Sequence, residues 1–240
     1  MVVEYDGTDY CGWQRQKNGL SIQQVLEETI RLITQEKVTV FGSGRTDAGV
    51  HALNQVASFR STTRLPAEIL FRGLNGLLPP DIVVKTLEEV AWEFNALRDA
   101  RGKIYFYRIC NKRLRPALNR NYFWFIHQPL DLPLMEQAAQ YLIGRHDFSG
   151  FCATGSDVKE RTRTVTDISI DGDADGLLEI TIEAEGFLKY MVRNIVGTLV
   201  EVGLGRRKPS TMKEIIDSCD RNIAGVTAPA RGLYLKEVKY

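Results

Sequence analysis

The order in which two hydrophobic periods alternate along residues 1–90 limits this chain more than any other feature. Met1 to Tyr5 reads as a short strand that stops at the turn signal Asp6-Gly7. Ser21 is a good helix N-cap, and Ile22, Val25, Leu26, Ile30 and Ile33 then recur at helical spacing. Lys37 to Gly42 is a strand candidate. Val50 to Phe59 is extended, with Leu53, Gln55, Ala57 and Phe59 on one side. Pro66 to Leu77 reads as a second helix with proline in its first turn, and Pro79-Pro80-Asp81 ends it. Ile82 to Val90 closes the set as a strand. The order is β-α-β-β-α-β, the split βαβ arrangement.

The remainder repeats this order less cleanly. Lys103 to Asn111 alternates as a strand, Leu132 to Ile143 is helical, and Thr164 to Ile170 pairs in prospect with Leu177 to Glu185. The acidic, Gly-containing link Asp171 to Gly176 has some calcium-loop composition. Without flanking helices and a terminal Glu it reads as a hairpin turn. Phe187 to Val202 is a strongly apolar helix, Pro209 to Cys219 another, and Gly232 to Val238 a final strand. His146-Asp147 reads as loop. The boundary between halves falls within residues 92–101, giving an N-terminal half 1–97 and a C-terminal half 98–240.

Composition excludes several classes. The 240 residues carry 31 Lys and Arg against 30 Asp and Glu, a net charge of +1, so any nucleic-acid function must come from uneven charge. The four cysteines, Cys11, Cys110, Cys152 and Cys219, are dispersed, and none of the three histidines stands at ligand spacing from one. No window is apolar enough for a membrane span, and the N-terminus lacks a signal peptide's pattern. The expectation is a reduced, cytoplasmic protein without metal.

Chemistry concentrates in Gly42-Ser43-Gly44-Arg45-Thr46-Asp47-Ala48-Gly49. Glycines let the backbone approach a ligand closely. If the segment is extended, Arg45 and Asp47 project from one side, and the guanidinium favours an ionised carboxylate. Such an aspartate can act as nucleophile or base. An ordinary turn held by an Arg–Asp pair fits the same residues. The segment lacks the Gly-Lys-Ser/Thr ending of a phosphate loop and the helix that follows a dinucleotide fingerprint.

Arg98, Arg101, Lys103, Arg108, Lys112, Arg113, Arg115 and Arg120 form a basic run opposed only by Asp99, interleaved with Tyr105, Phe106 and Tyr107. Cations neutralise phosphates and aromatic faces stack on unpaired bases. A solvated strand edge guarded by cations is an equal reading. Alternation puts Lys103, Tyr105 and Tyr107 on one face and Phe106 and Arg108 on the other, so one tyrosine face is free to meet solvent or ligand. Smaller basic clusters are Lys159, Arg161 and Arg163, and Arg206-Arg207-Lys208. Arg193 sits within an apolar run and needs a partner: a carboxylate such as Asp47, a substrate phosphate, or a structural acid. His51 suits a structural role better than that of a base.

Together these segments make the chain resemble the tRNA pseudouridine synthase A family. The resemblance runs essentially end to end. It rests on Tyr5-Asp6-Gly7-Thr8 with Gly12-Trp13-Gln14, Gly44-Arg45-Thr46-Asp47-Ala48-Gly49-Val50-His51-Ala52, and residues 75–81 around Leu77-Leu78-Pro79-Pro80. It continues through the strand 103–109, His146-Asp147-Phe148-Ser149, Met191-Val192-Arg193-Asn194-Ile195-Val196-Gly197, Ala228-Pro229 and Gly232-Leu233-Tyr234-Leu235. The resemblance implies conversion of uridine to pseudouridine at positions 38, 39 and 40 of the tRNA anticodon stem-loop, without a cofactor. It implies that Asp47 is the essential aspartate and that Arg45 helps hold the displaced base's place. It further implies that Tyr105 lies against the target base and that Arg193 pairs with the catalytic carboxylate. The partner is tRNA; the family is homodimeric, with tRNA contacting both subunits, and neither a membrane nor a small-molecule cofactor is implied. Asn95 and Lys189-Tyr190 depart from the family's usual histidines.

The expected architecture is therefore α+β, with two split-βαβ (ferredoxin/RRM-like) halves whose antiparallel sheets flank a central RNA-binding cleft. Residues 1–97 would carry the catalytic loop, and 98–240 the basic-aromatic strand and the Arg193 helix. A non-catalytic RNA binder is one rival, but a pure binder has little use for a carboxylate that repels phosphate. An aspartate-dependent hydrolase of small substrates is the other, and it leaves the basic-aromatic strand unexplained.

Overall fold

The computed structural model describes residues 1–155 and 158–240. Its first part runs β1 (Val2–Tyr5), α1 (Ile22–Thr34), β2 (Phe41–Gly42), β3 (His51–Ser58), α2 (Ala67–Leu77) and β4 (Ile82–Thr86). Next come β5 (Gly102–Asn111), β6 (Trp124–Ile126), α3 (Leu132–Ala139), β7 (Gly144–Asp147), β8 (Thr162–Gly172) and β9 (Leu177–Ala184). The chain closes with α4 (Met191–Gly203), α5 (Thr211–Ser218) and β10 (Leu233–Lys239). This is a mixed α/β protein with five α-helices among the described residues.

Two compact units emerge, Met1–Arg101 with Tyr234–Tyr240, and Gly102–Leu233. The sequence expectation placed all of 98–240 in one half. The last strand instead groups with the first unit, because β10 runs parallel to β3, Tyr234 opposite His51 and Leu235 opposite Ala52. A linear pattern of apolar residues carries no information about such a distant pairing.

In the first unit β1 lies between β4 and β3 and is antiparallel to both. Ser21 caps α1 as its spacing implies, its Oγ accepting from the Gln24 N–H at 3.3 Å. Ile22, Leu26 and Ile30 are fully buried beneath the helix, with Val3, Ala57 and Leu74. The expected strand 37–42 shrinks to Phe41–Gly42. Val38 and Val40 are still buried, but the backbone of Val40 is satisfied by α1 side chains rather than by a ladder. Its N–H donates to Glu27 Oε1 at 3.1 Å, and its carbonyl accepts from Gln23 Nε2 at 3.1 Å. β2 and β3 thus form a hairpin whose tip is the segment 43–50.

In the second unit the strand order is β5-β9-β8-β7, antiparallel throughout, and short β6 adds parallel to β5. His146 and Asp147, read as loop, belong to β7 and pair with Arg163 and Thr162. The turn at Asp171 to Gly176 is a hairpin: the Leu177 N–H bonds Asp173 Oδ1 at 2.8 Å, and Gly176 adopts a positive φ of 69°. The helix expected over 187–202 begins at Met191, because Tyr190 adopts the left-handed conformation with φ 62° and cannot continue a helix backwards. Nor does one tyrosine face of β5 stay open. Tyr105, Phe106 and Tyr107 are all buried. Trp124 packs edge-on against Tyr107, and the Arg108 guanidinium lies 4.9 Å over the Phe106 ring.

Candidate active site

The segment 43–50 is pinned almost entirely by its own unit's backbone. Its base is tied to β3, with the Ser43 N–H on the Val56 carbonyl at 2.8 Å and Gln55 Nε2 on the Gly44 carbonyl at 3.0 Å. The loop 6–13 grips its far side. The Trp13 N–H donates to the Thr46 carbonyl at 3.1 Å, and the Gly49 N–H to the Tyr10 carbonyl at 3.3 Å. The two loops touch so closely that a Cβ on Gly12 would lie 2.4 Å from the Thr46 carbonyl oxygen, and Gly12 also has φ 96°. Only glycine fits there. Beneath them the Tyr5 hydroxyl shares a 2.8 Å hydrogen bond with Thr46 Oγ1. Burial pushes the Tyr5 phenol well above its ordinary value, so it stays neutral and can donate.

Thr46 before Asp47 and Gly49 two residues after it are thereby held, and Asp47 itself is half-buried at the hairpin tip. Its carbonyl accepts from the Val50 N–H at 3.1 Å, closing the turn. Arg45 is exposed and makes no ion pair among the described residues. Residues 45–47 belong to no helix or strand, and the turn follows at Ala48-Gly49. His51 has the structural setting its isolation suggested. It is buried and stacks on Tyr234 with ring centroids 4.7 Å apart, and its Nδ1 accepts from the Gly7 N–H at 3.1 Å. Asp6 Oδ1 lies 3.0 Å from the same nitrogen.

Tyr105 and Arg193 lie in the second unit. Tyr105 sits on β5 with Phe187 edge-on at 5.0 Å. Arg193, in the first turn of α4, is half-buried, its Nε donating to the Ala228 carbonyl at 2.7 Å and its guanidinium 4.7 Å over Tyr190. The very next carbonyl, that of Pro229, accepts from the Tyr107 hydroxyl at 2.7 Å. Residues 228–229 thus join the Arg193 helix to the strand that holds Tyr105. Burial raises the Tyr107 phenol, and the charges of Arg193 and Arg231 oppose that rise only in part.

A polar stripe on α4 holds this connection, and the reading of the helix as simply apolar missed it. Buried Asn194 donates to the Phe151 carbonyl at 2.7 Å and accepts from Thr227 Oγ1 at 2.7 Å and Arg221 Nη2 at 3.0 Å. Thr198 Oγ1 accepts from the Gly225 N–H, and Glu201 Oε1 from the Val226 N–H. A Cβ on Gly197 would fall 1.7 Å from the Val226 carbonyl oxygen. The signal was present, because 194, 197, 198 and 201 recur at helical spacing and are polar or small.

Most of the remaining basic side chains have structural duties or face solvent. Arg207 pairs with Glu201 and caps the Ile223 carbonyl, and Arg206 bonds Gln128. Lys112, Arg113, Arg115 and Arg120 are exposed on the loop after β5.

A family model described as tRNA pseudouridine synthase matches residues 1–96 and 138–240. The chain belongs to the tRNA pseudouridine synthase family. It is 49% identical over 240 residues to the tRNA pseudouridine synthase A of Thermoanaerobacter sp. (strain X514), covering 100% of this chain and 98% of that protein. The protein of that name from Myxococcus xanthus is 48% identical, covering 100% of this chain and 91% of its own length. A tRNA pseudouridine synthase A 2 of Clostridium perfringens (strain 13 / Type A) is 46% identical, with 100% and 98% covered. Arg45, Asp47 and Arg193 fall inside the residues matched by the family model, and Tyr105 in the span between them. The glycines and hydrogen bonds that shape the 43–50 turn also lie in the matched residues of this family member.

No group of three or more His, Cys, Asp or Glu side chains that could hold a metal occurs among the described residues. No helix among them is long and apolar enough to cross a membrane.

Proposed function

We propose that this chain isomerises uridine to pseudouridine at positions 38, 39 and 40 of the tRNA anticodon stem-loop, with Asp47 as the essential carboxylate and no cofactor. The observation that carries this is the half-buried Asp47 at the tip of a hairpin, with Thr46 before it and Gly49 after it held by main-chain bonds. A carboxylate held in this way meets the geometric demand of a nucleophile or base, whose reacting atom must be placed to within a few tenths of an ångström.

The reaction balances within the nucleotide. The N1–C1′ bond breaks, the base rotates, a C5–C1′ bond forms, the C5 hydrogen leaves to water and N1 takes a proton. No electron acceptor and no group donor enters, so the chain's own residues suffice. Asp47 attacks the sugar or the base, or takes a proton from the ribose. Arg45, Tyr105 and Arg193 are the proposed substrate-binding residues. Arg45, exposed on the catalytic turn, holds the place of the displaced base. Tyr105 lies against the target uracil, which must first leave its stack. Arg193 supplies positive charge toward the RNA. The exposed cations after β5 hold phosphates. The proposed working form is a cytoplasmic homodimer, with tRNA touching both subunits.

Tritium release from tRNA carrying [5-³H]uridine tests this reading. Wild type should release tritium to water, and Asp47→Asn should fall to background while still binding tRNA. Release that survives Asp47→Asn would remove the aspartate from the mechanism.

A further inference from the structure

Lys103 opens β5 two residues before Tyr105 and on the same face. It is half-buried and enters no ion pair among the described residues. Across the sheet it stands opposite Ala184 of β9, and Ala184 stands opposite Val165 of β8. Arg163, two residues before Val165, shares that face, and it too enters no ion pair among the described residues. Lys103 and Val165 are two strands apart, about 10 Å between backbones. The residues between the two cations are Ala184 and, two places on, Gly186. Neither has a side chain to fill the gap. A Cβ on Gly186 would meet only the Arg163 side chain, its Nε 3.7 Å away. Phe187, which follows, packs against Tyr105.

The second unit therefore sets two cations on one face of the sheet with buried Ala184 between them, and the space at half-buried Gly186, bounded by the Arg163 side chain, is a candidate cradle beside the aromatic pair Tyr105–Phe187. One carboxylate, that of Glu160, is near enough for the charges of Arg145 and Arg163 to help hold it below its ordinary value, after the hydrogen bonds from Thr162. Glu160 accepts from the Thr162 N–H at 2.8 Å, and Arg163 turns its Nη1 to the carbonyls of Glu160 and Thr162. Glu183 alternates to the opposite face of β9, and Glu185 lies just past its end. Burial, and then the charge of Arg163, lower the Lys103 ammonium below its ordinary value. Such a cation destabilises the empty protein and gains from an arriving anion.

We propose that Lys103 and Arg163, with the open space at Gly186, bind a backbone phosphate of the RNA next to the nucleotide that lies on Tyr105. This deepens the proposed function and rests on its assignment of an RNA substrate. The cradle places a phosphate one to two residues along the strand from the aromatic contact. It would thereby hold the strand while the base leaves its stack, without reading sequence.

Binding can be measured apart from turnover. Affinity for tRNA is titrated across a salt series in the Asp47→Asn background, with Lys103→Met, Arg163→Gln and Gly186→Leu added singly. The last fills the cradle and keeps both cations. Lys103→Met and Arg163→Gln should each weaken binding roughly tenfold and each lower the slope of log K against log salt by a share of the about 0.7–0.9 that one phosphate contributes. Gly186→Leu should weaken binding with the cations in place. Lys103→Met should also raise the melting temperature of the free protein, because a half-buried charge beside another is removed. Unchanged affinity and slope in the two cation variants would overturn the site. So would weakened binding with an unchanged slope and a lowered melting temperature, the mark of a packing role. Tritium release by wild type separates the two readings: its absence sinks the isomerase reading while leaving these binding results to judge the cradle.

Discussion

The turn 43–50 in the first unit and the segment 224–229 in the second are both irregular backbone beside a proposed functional residue, yet they are held by opposite means. The turn is gripped by other backbone: Trp13, Tyr10 and Val56 exchange main-chain bonds with it, and Gly12 permits the close approach. The segment is gripped by side chains, the stripe Asn194, Thr198 and Glu201 on α4, with Gly197 making room. Backbone bonds do most to fix the turn that carries Asp47, with Gln55 and Tyr5 adding one side-chain bond each to Gly44 and Thr46. The side-chain stripe makes the position of Ala228 and Pro229, and with it Arg193 and Tyr107, depend on the integrity of one helix.

The sharpest way to break this contrast is a methyl group in each grip. Gly197→Ala forces a helix away from a buried carbonyl and should destabilise the protein by about 3 kcal/mol or more, read by chemical denaturation. Gly12→Ala, at a buried position with φ 96°, presses one loop against another rather than a helix against the Val226 carbonyl. It should cost less stability but lower turnover by about 100-fold, because the carboxylate moves. Equal losses of stability in both variants would erase the distinction. Next in size is Asn194→Ala, which leaves the Arg221 and Thr227 donors and the Phe151 carbonyl without their partner. A loss of about 2–3 kcal/mol is expected, with tRNA affinity declining as Ala228 loosens. Tyr5→Phe should be milder. It removes one hydrogen bond to Thr46 for about 1 kcal/mol, and kcat should fall by more than the melting temperature suggests. If kcat is unchanged, the main-chain bonds alone place the turn.

The smallest effect concerns β7. Hydrogen bonds from Ser149 hold the Asp147 carboxyl below its ordinary value. A depressed folded pKa contributes stability above the ordinary carboxylate value, and that contribution is lost as pH falls through the folded one. Acid unfolding of Asp147→Asn should therefore be less steep with pH than that of wild type, while the two respond alike to mutations in either grip.

Reading the chain in advance succeeded where local physics decides. α1 begins at its Ser21 cap, α2 follows Pro66, and β3 occupies nearly the span its alternation implied. It fell short where a distant partner decides. Val40 looked like strand, but its hydrogen-bonding groups go to Gln23 and Glu27. Phe187 to Tyr190 looked like helix, but the left-handed Tyr190 interrupts it. His146 and Asp147 looked like loop, but β8 offered an edge. At the candidate site local grounds singled out Asp47, a carboxylate among glycines, and Arg193, a charge in an apolar run, while the roles proposed for Arg45, Asp47, Tyr105 and Arg193 came from the family resemblance. The supports, Gly12, Thr46, Asn194 and Gly197, are unremarkable locally and acquire meaning only from what they touch.

The sequence by itself determined the mixture of helix and strand, the two amphipathic helices of the first unit, the strand that follows Asp47 and, through its motifs, the family. Those follow from periodicity, capping and turn chemistry, which act over a few residues. The tertiary structure alone decided that β10 joins β3, that α4 carries a polar grip for 224–228, and that Lys103 stands opposite Ala184, with Val165 beyond it. These depend on which backbone groups and side chains meet across long stretches of chain. Hydrogen bonding and close packing select such meetings only once the strands are in register.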